Sequence, residues 1–248
     1  MTTFGIDVGG SGIKGAPVDV GTGELVRERE RLPTPEPSTP EAVVAAVAEL
    51  LRDTPPGRIG VTLPSVVVDG TALTAANIDP SWVGTDVRAL LLAATGREAV
   101  VVNDADAAGL AEVRFGAASG VLGTVLVVTL GTGIGSALFR DGALVPNTEL
   151  GHLELDGGEA EARASDAARK REDLSWEDWT QRLQRYLDHV DLLLRPDLVV
   201  LGGGVSKKSA QWLPLLHVRP PLVAAGLRND AGIVGAALLA AGADRSRP

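Results

Sequence analysis

Cysteine is absent from this chain, which excludes disulfides, thiolate zinc centres and thiol nucleophiles together. Histidine occurs only as His152, His189 and His217, too few for a histidine-rich metal centre. Aromatic residues make up 3% of the sequence, leaving little to stack on the bases of single-stranded nucleic acid. Positive charge is short as well. With 23 basic residues against 32 acidic ones, the net charge is −9, which argues against general binding to nucleic acid or anionic membranes. No apolar run reaches the roughly 20 residues that span a bilayer, and no basic-then-apolar leader opens the chain. The expectation is a soluble, cytoplasmic protein with no membrane or nucleic-acid partner. A polyanion would have to be met by a local basic patch.

The 248 residues, 45% of them hydrophobic, are enough for one large core or two modest ones. Glycine is plentiful, and its first cluster is Asp7-Val8-Gly9-Gly10-Ser11-Gly12-Ile13-Lys14-Gly15. Such a turn brings several backbone N–H groups close to an anion. Ser11 and Lys14 add donors, and Asp7 adds a carboxylate suited to Mg²⁺ held through water. The stretch from Gly10 to Gly15 also spells the dinucleotide fingerprint, which works only when the loop opens a helix. Here Ile13-Lys14-Gly15-Ala16-Pro17-Val18 suits a second strand, so the turn is expected to be a β-hairpin.

The pattern along the chain predicts strands at 4–8, 12–18 and 24–31. A proline-rich connector at 32–40 ends in an N-cap at Ser38 or Thr39. A helix over 41–52, a buried strand over 58–63, a helix over 86–94, a strand over 99–102 and a helix over 105–115 follow. The pattern then restarts: a strand over 124–130, a glycine turn at 131–135, a strand over 136–140 and a tight turn at Asp141-Gly142. A long polar region has helical stretches at 159–171 and 176–194. A strand at 197–201, the turn Gly202-Gly203-Gly204 and a helix over 229–240 close the chain. This is an α/β chain of two similar halves joined near residues 103–112. The expected division is a small N-terminal domain, 1–104, rejoined by 229–248, and a larger C-terminal domain, 105–228.

Two glycine turns in equivalent places point to a shared phosphate chain, although either alone reads equally well as a plain hairpin. Thr132 and the N–H groups around Gly133 would complete the cradle. Asn103 and Asp104 end a buried strand, where ligands of α/β sheets bind. Asp104 there is placed to accept the proton of an attacking hydroxyl while Asn103 orients the acceptor. The plain alternative is that Asp104 caps the next helix, a job better suited to Asp106. Glu149, His152 and Glu154 share a short segment with Asn147, a set suited to sugar hydroxyls or merely a charged surface turn. Basic residues cluster at Arg163, Arg169, Lys170 and Arg171, and at Lys207-Lys208 after the triple glycine. They read either as a solvated face or as a strip for a long anionic donor.

Together these motifs resemble the ROK family of sugar kinases: 7–15, 103–112, Leu130-Gly131-Thr132-Gly133-Ile134-Gly135, Glu149-Leu150-Gly151-His152 and Leu201-Gly202-Gly203-Gly204. The resemblance runs from about residue 4 to 240. It implies a duplicated actin-like (ribonuclease H-like) fold, two domains around a cleft, Mg²⁺ and a homodimer. By matched position Asp104 is the catalytic base, and Ser65, Asn77, Asn103, Asp104, Glu149 and His152 line the sugar site. The donor site is Gly9, Gly10, Ser11, Gly12, Lys14, Gly131, Thr132, Gly133, Gly203, Gly204, Lys207 and Lys208, with Asp7 toward the metal. One departure stands out. Many members carry a cysteine-rich zinc loop after the Gly-His pair; here it is missing, so no zinc is expected, and a sugar-binding glutamate beyond that loop has no assignable counterpart. Instead His152-Leu153-Glu154-Leu155-Asp156-Gly157, Val205-Ser206-Lys207-Lys208 and the glycine–alanine run 231–237 look like the branch that uses inorganic polyphosphate, with ATP as an alternative donor. The implied reaction is phosphorylation of the 6-hydroxyl of glucose with Mg²⁺, giving glucose 6-phosphate. The rival is an ATP-dependent kinase for glucose, mannose or an amino sugar. A DNA-binding regulator of the same superfamily would need a helix-turn-helix before Phe4, and a non-catalytic sugar module would leave both phosphate turns unexplained.

Overall fold

A computed structural model of the protein describes residues 1–75 and 78–242. The chain divides into two compact units, Met1–Ala111 with Asp230–Pro248, and Glu112–Asn229. The division falls inside the helix Asp104–Phe115.

The first unit opens with β1 (Thr2–Gly9) and β2 (Gly12–Asp19), paired antiparallel with Gly9 opposite Gly12. The loop is therefore Gly10-Ser11, a hairpin and not the start of a helix. The expected third strand is two short pieces, β3 (Glu24–Leu25) and β4 (Glu30–Leu32), both paired with β2. Helix α1 (Pro40–Leu50) is capped by Thr39, whose hydroxyl accepts the Ala42 N–H at 3.4 Å, with Pro40 at the first helical position. Its apolar stripe Val43, Val44, Val47 and Leu50 is buried. Strand β5 (Ile59–Leu63) is buried along its whole length, as expected of a parallel strand covered on both faces. A small hairpin of β6 (Val67–Val68) and β7 (Thr71–Ala72) follows. Helix α2 (Val87–Thr95) starts at Asp86 and ends at Gly96 in the left-handed conformation. Strand β8 (Ala99–Asn103) then leads directly into α3 (Asp104–Phe115).

The second unit repeats the scheme with β9 (Thr124–Leu130), β10 (Ile134–Arg140) and β11 (Ala143–Val145). Next come a hairpin of β12 (Glu154–Leu155) and β13 (Gly158–Glu159), then α4 (Ala160–Ala164), α5 (Asp166–Arg171) and α6 (Trp176–Leu194). The helix expected over 159–171 is broken at Ser165, whose hydroxyl accepts the Ala168 N–H and so starts α5. Strand β14 (Leu198–Gly202), α7 (Ser209–Trp212) and β15 (Leu222–Ala224) complete the unit. The last helix, α8 (Ala231–Ala240), returns to the first unit.

The two sheets have the same plan. Their orders are β3-β2-β1-β5-β8 and β11-β10-β9-β14-β15: in each, an antiparallel meander and then two parallel strands. In the first unit α8 lies on β1 and β5 at a distance only glycine permits. A Cβ on Gly5 would sit 1.9 Å from the Ile233 carbonyl oxygen, and one on Gly60 1.9 Å from that of Ala236. The scarce aromatics concentrate in the second unit's core, where Trp179 meets Trp176 and Trp212 edge-on at 5.7 and 5.4 Å. Among the described residues no helix is long and apolar enough to cross a membrane.

Candidate active site

In the first unit the hairpin Gly9–Gly12 joins the ends of two interior strands, β1 and β2, beside Asp7. Asp7 and Lys14 are cross-strand partners, and Lys14 Nζ lies 3.2 Å from Asp7 Oδ2. Thr62, from the end of β5, donates its hydroxyl to Asp7 Oδ1 at 3.0 Å while accepting the Val8 N–H. A Cβ on Gly232, in the first turn of α8, would fall 2.9 Å from that same oxygen. The carboxylate is thus fixed by three elements and its charge is answered by Lys14. Arg31, opposite Lys14 on β4, lays its guanidinium over Gly12 and donates to the Ser11 carbonyl at 2.7 Å. Neither Thr62 nor Arg31 is evident as a site residue in the sequence, because each reaches the turn only through strand pairing.

At the end of β8 the capping role falls to Asn103, while Asp106 takes the other place expected of it, an acid in the first turn of α3. Asn103 Oδ1 accepts the N–H groups of Ala105 and Asp106 at 2.9 and 3.1 Å, while Nδ2 donates to the Ser65 carbonyl at 3.1 Å. The reason is position. A residue just before the helix reaches its orphan N–H groups, whereas Asp106 is already inside it. Asp104, half-buried in the first turn of α3, takes the Ala105 N–H on Oδ1 at 2.9 Å and gains from the positive end of the helix. The Ser65 hydroxyl is engaged with the Thr74 and Val66 carbonyls, so Ser65 meets Asn103 through its backbone. Asn77 lies outside the described residues.

In the second unit Glu149 and His152 flank a single turn of 3₁₀ helix, Leu150–His152. The buried Ser136 hydroxyl on β10 ties this turn down, accepting the Leu150 N–H at 3.0 Å and bonding to Thr148. Gly151 has a definite reason to be glycine: a Cβ there would sit 2.1 Å from the Ile134 carbonyl oxygen. His152 Nδ1 is 3.3 Å from Glu159 and Nε2 is 3.6 Å from Glu149. Glu161 joins them, so that His152, Glu159 and Glu161 place ligand atoms within 4.8 Å of one another. Burial works against the imidazolium of His152, but the hydrogen bond to Glu159 and the charges of Glu161, Glu159 and Glu149 outweigh it and raise its pKa. Burial raises the Glu149 carboxyl too, with His152 pulling it down and Glu161 pushing it up. Glu159 and Glu161 are delivered by the β12–β13 hairpin, whose turn Asp156-Gly157 has both residues left-handed, at φ 55° and 80°. This four-residue ladder stands where a longer loop was expected to be missing. Asp156-Gly157 is itself a hairpin signal in the sequence, but Glu161, beyond the hairpin on α4, carries no signal of its own.

Glu161 also touches the glycine turn: its carboxylate accepts the Ile134 N–H at 3.0 Å, and a Cβ on Gly133 would meet it at 2.3 Å. The turns of the second unit are adjacent, since β9 and β14 pair in parallel with Gly202 opposite Thr129. Gly203, at φ 83°, packs so closely that a Cβ would lie 2.3 Å from the Leu130 carbonyl oxygen. Gly131 and Gly204 face open space. Lys207 and Lys208 end the short helical turn after Gly203. Both are exposed and, among the described residues, neither is in an ion pair. The arginine strip is different. Asp166 holds Arg169 and Lys170, Glu172 holds Arg171 and Arg182, and Asp156 holds Arg185. As a run of positive charge it is largely answered by its own acids.

A duplicated α/β fold with a glycine hairpin beside a fixed carboxylate, an acid at a strand end, and a carboxylate–imidazole cluster suited to hydroxyls defines an actin-like sugar kinase. The family profile of the ROK family matches residues 3–169; the chain belongs to the ROK family. A polyphosphate glucokinase of Mycobacterium tuberculosis (strain CDC 1551 / Oshkosh) is 49% identical over 237 residues, 95% of this chain and 89% of that protein. Among solved structures, the inorganic polyphosphate/ATP-glucomannokinase from Arthrobacter sp. strain KM superposes with a TM-score of 0.94 at 53% identity, covering 98% of this chain and 99% of that one. A ROK family glucokinase from Streptomyces griseus in complex with glucose and AMPPNP gives 0.85 at 25% identity, covering 98% and 100%.

Proposed function

We propose that the protein transfers a phosphoryl group from inorganic polyphosphate, with ATP as a second donor, to the 6-hydroxyl of glucose, giving glucose 6-phosphate. The observation that carries this is the 49% identity to a polyphosphate glucokinase across 95% of the chain, joined to a site whose parts suit that chemistry. Asp104 acts as general base, drawing off the hydroxyl proton as the phosphoryl leaves its donor. Asn103, with Oδ1 engaged by the helix and one Nδ2 hydrogen given to the Ser65 carbonyl, has its second Nδ2 hydrogen for the sugar. Glu149, His152 and Glu161 take sugar hydroxyls by paired donation and acceptance, with Ser65 and Asn77 completing the sugar contacts.

The donor's oxygens lie against the backbone of Gly9, Gly10 and Gly12, and of Gly131, Gly133, Gly203 and Gly204. Ser11, Lys14, Thr132, Lys207 and Lys208 add side-chain donors. Preorganised N–H groups of this kind stabilise the charge that develops in transfer. Mg²⁺ fits at Asp7: the carboxylate offers about four lone-pair directions, and Thr62 and Lys14 take two of them. A hard oxygen donor beside a hydroxyl suits a hydrated Mg²⁺, which would neutralise charge on the donor. We read the protein as a cytoplasmic homodimer, the exposed Leu192 and Leu193 at the end of α6 being an apolar patch a partner would cover.

The test is Asp104→Asn. Turnover should fall by about two to four orders of magnitude while glucose binding, followed by calorimetry, persists. Turnover within a few-fold of the parent would remove Asp104 from its role.

A further inference from the structure

The second unit holds another concavity that neither the sugar nor the donor reading uses. It has a volume of about 400 Å³, within the range of small-ligand sites, and lies among α4, α6 and the turn of the β12–β13 hairpin. One wall is cationic, with Arg163 from α4 and Arg182 and Arg185 from α6. The floor is apolar but for Tyr186, a wholly buried side chain whose hydroxyl has no hydrogen-bond partner among the described residues. The acids present are Asp178, held by Ser175 at 2.8 Å, Asp156, which accepts a fork from Arg185 at 2.9 and 3.2 Å and lies 3.9 Å from Arg163, and Glu172 behind the wall, which pairs with Arg182 at 2.7 Å. These partners are open to water. Arg163, Arg185 and Asp156 are 50%, 67% and 43% exposed, so their pairing is screened and weak. A multiply charged anion with several oxygens exchanges readily with one carboxylate, because guanidinium forks match phosphoryl oxygens in pairs.

We propose that this pocket is a second phosphate subsite, in which Arg163, Arg182 and Arg185 hold the distal part of a polyphosphate donor. Helix α4 borders both places: Glu161 on it meets the Gly131–Gly133 turn, while Arg163, two residues on and so on the other side of the helix, lines the pocket, so a long chain would have to pass around α4 to reach both. The inference rests on polyphosphate being a donor, and nothing in it requires the adenine of ATP.

The test compares the full-length protein with an Arg163→Gln/Arg185→Gln variant and with Asp156→Asn, using long-chain polyphosphate, tripolyphosphate and ATP as donors. Losing two phosphate contacts should raise KM for long chains roughly fivefold or more, leaving KM for ATP, tripolyphosphate and glucose unchanged. Asp156→Asn frees both guanidinium groups and suits the left-handed turn, since Asn tolerates that conformation; it should lower KM for long chains, so the test stands even if the double variant folds poorly. Unchanged long-chain KM in both variants overturns the subsite, as does an equal shift with ATP. Tripolyphosphate that binds more tightly to Asp156→Asn, by calorimetry, with no change in long-chain KM would show a site for free phosphate and overturn the distal-donor assignment. If the unaltered protein makes no glucose 6-phosphate from polyphosphate, the donor reading falls and the subsite with it; if it does and the variants do not differ, only the subsite falls.

Discussion

Asn103 and Asp104 are neighbours with divided labour. Asn103 supplies the N-cap of α3 and is itself pinned by the Ser65 carbonyl, so the residue that a capping rule would assign to an acid is an amide. Asp104, in the first turn of α3, accepts the Ala105 N–H at 2.9 Å and stands at the helix's positive end. The neighbouring unit uses charge differently. His152 sits among Glu149, Glu159 and Glu161, and its raised pKa has a sign that can be checked. A pKa raised on folding contributes stability that is fully present below the unfolded value and is lost as pH rises through the folded one. His152→Gln should therefore melt lower than the parent below about pH 6.5, and the gap should close as the pH rises through the folded pKa. A gap that stays constant from acid to alkaline pH would mean the imidazolium is not held by those carboxylates.

Elements were legible where their physics is local. The Gly10-Ser11 hairpin shows in the sequence because a glycine and a proline follow where a helix would have to grow. Helix α1 shows because Thr39, Pro40 and a buried stripe recur at helical spacing. The two-residue strands β12 and β13 carry no periodicity, and Glu161 gains its meaning only once their hairpin folds back on Gly133. The basic residues of α5 show in the sequence as charge, with their acids Asp166 and Glu172 close by, whereas Arg185 on α6 pairs with Asp156, 29 residues away, out of reach of pattern. Glycines that admit α8 are also silent in sequence, since Gly5 and Gly60 look like any strand glycine. Their role predicts a cost: Gly60→Ala drives a methyl against the Ala236 carbonyl and should destabilise the fold by about 1–3 kcal/mol or more, read from chemical denaturation. An unchanged midpoint would show that α8 can shift without penalty.

For the molecule as a whole, the repeated sheet order explains why two glycine turns occupy equivalent places in the sequence. Each unit contributes one: Gly9–Gly12 between β1 and β2, and Gly131–Gly133 between β9 and β10. Against the overall charge of −9, Lys207 and Lys208, beside the adjoining turns of the second unit, are exposed and in no ion pair among the described residues. The most direct test of the central claim is a coupled assay for glucose 6-phosphate with glucose, Mg²⁺ and inorganic polyphosphate as the sole phosphate source. The account predicts sustained product formation that stops when the Mg²⁺ is chelated. No product from polyphosphate, with full turnover on ATP alone, would contradict it.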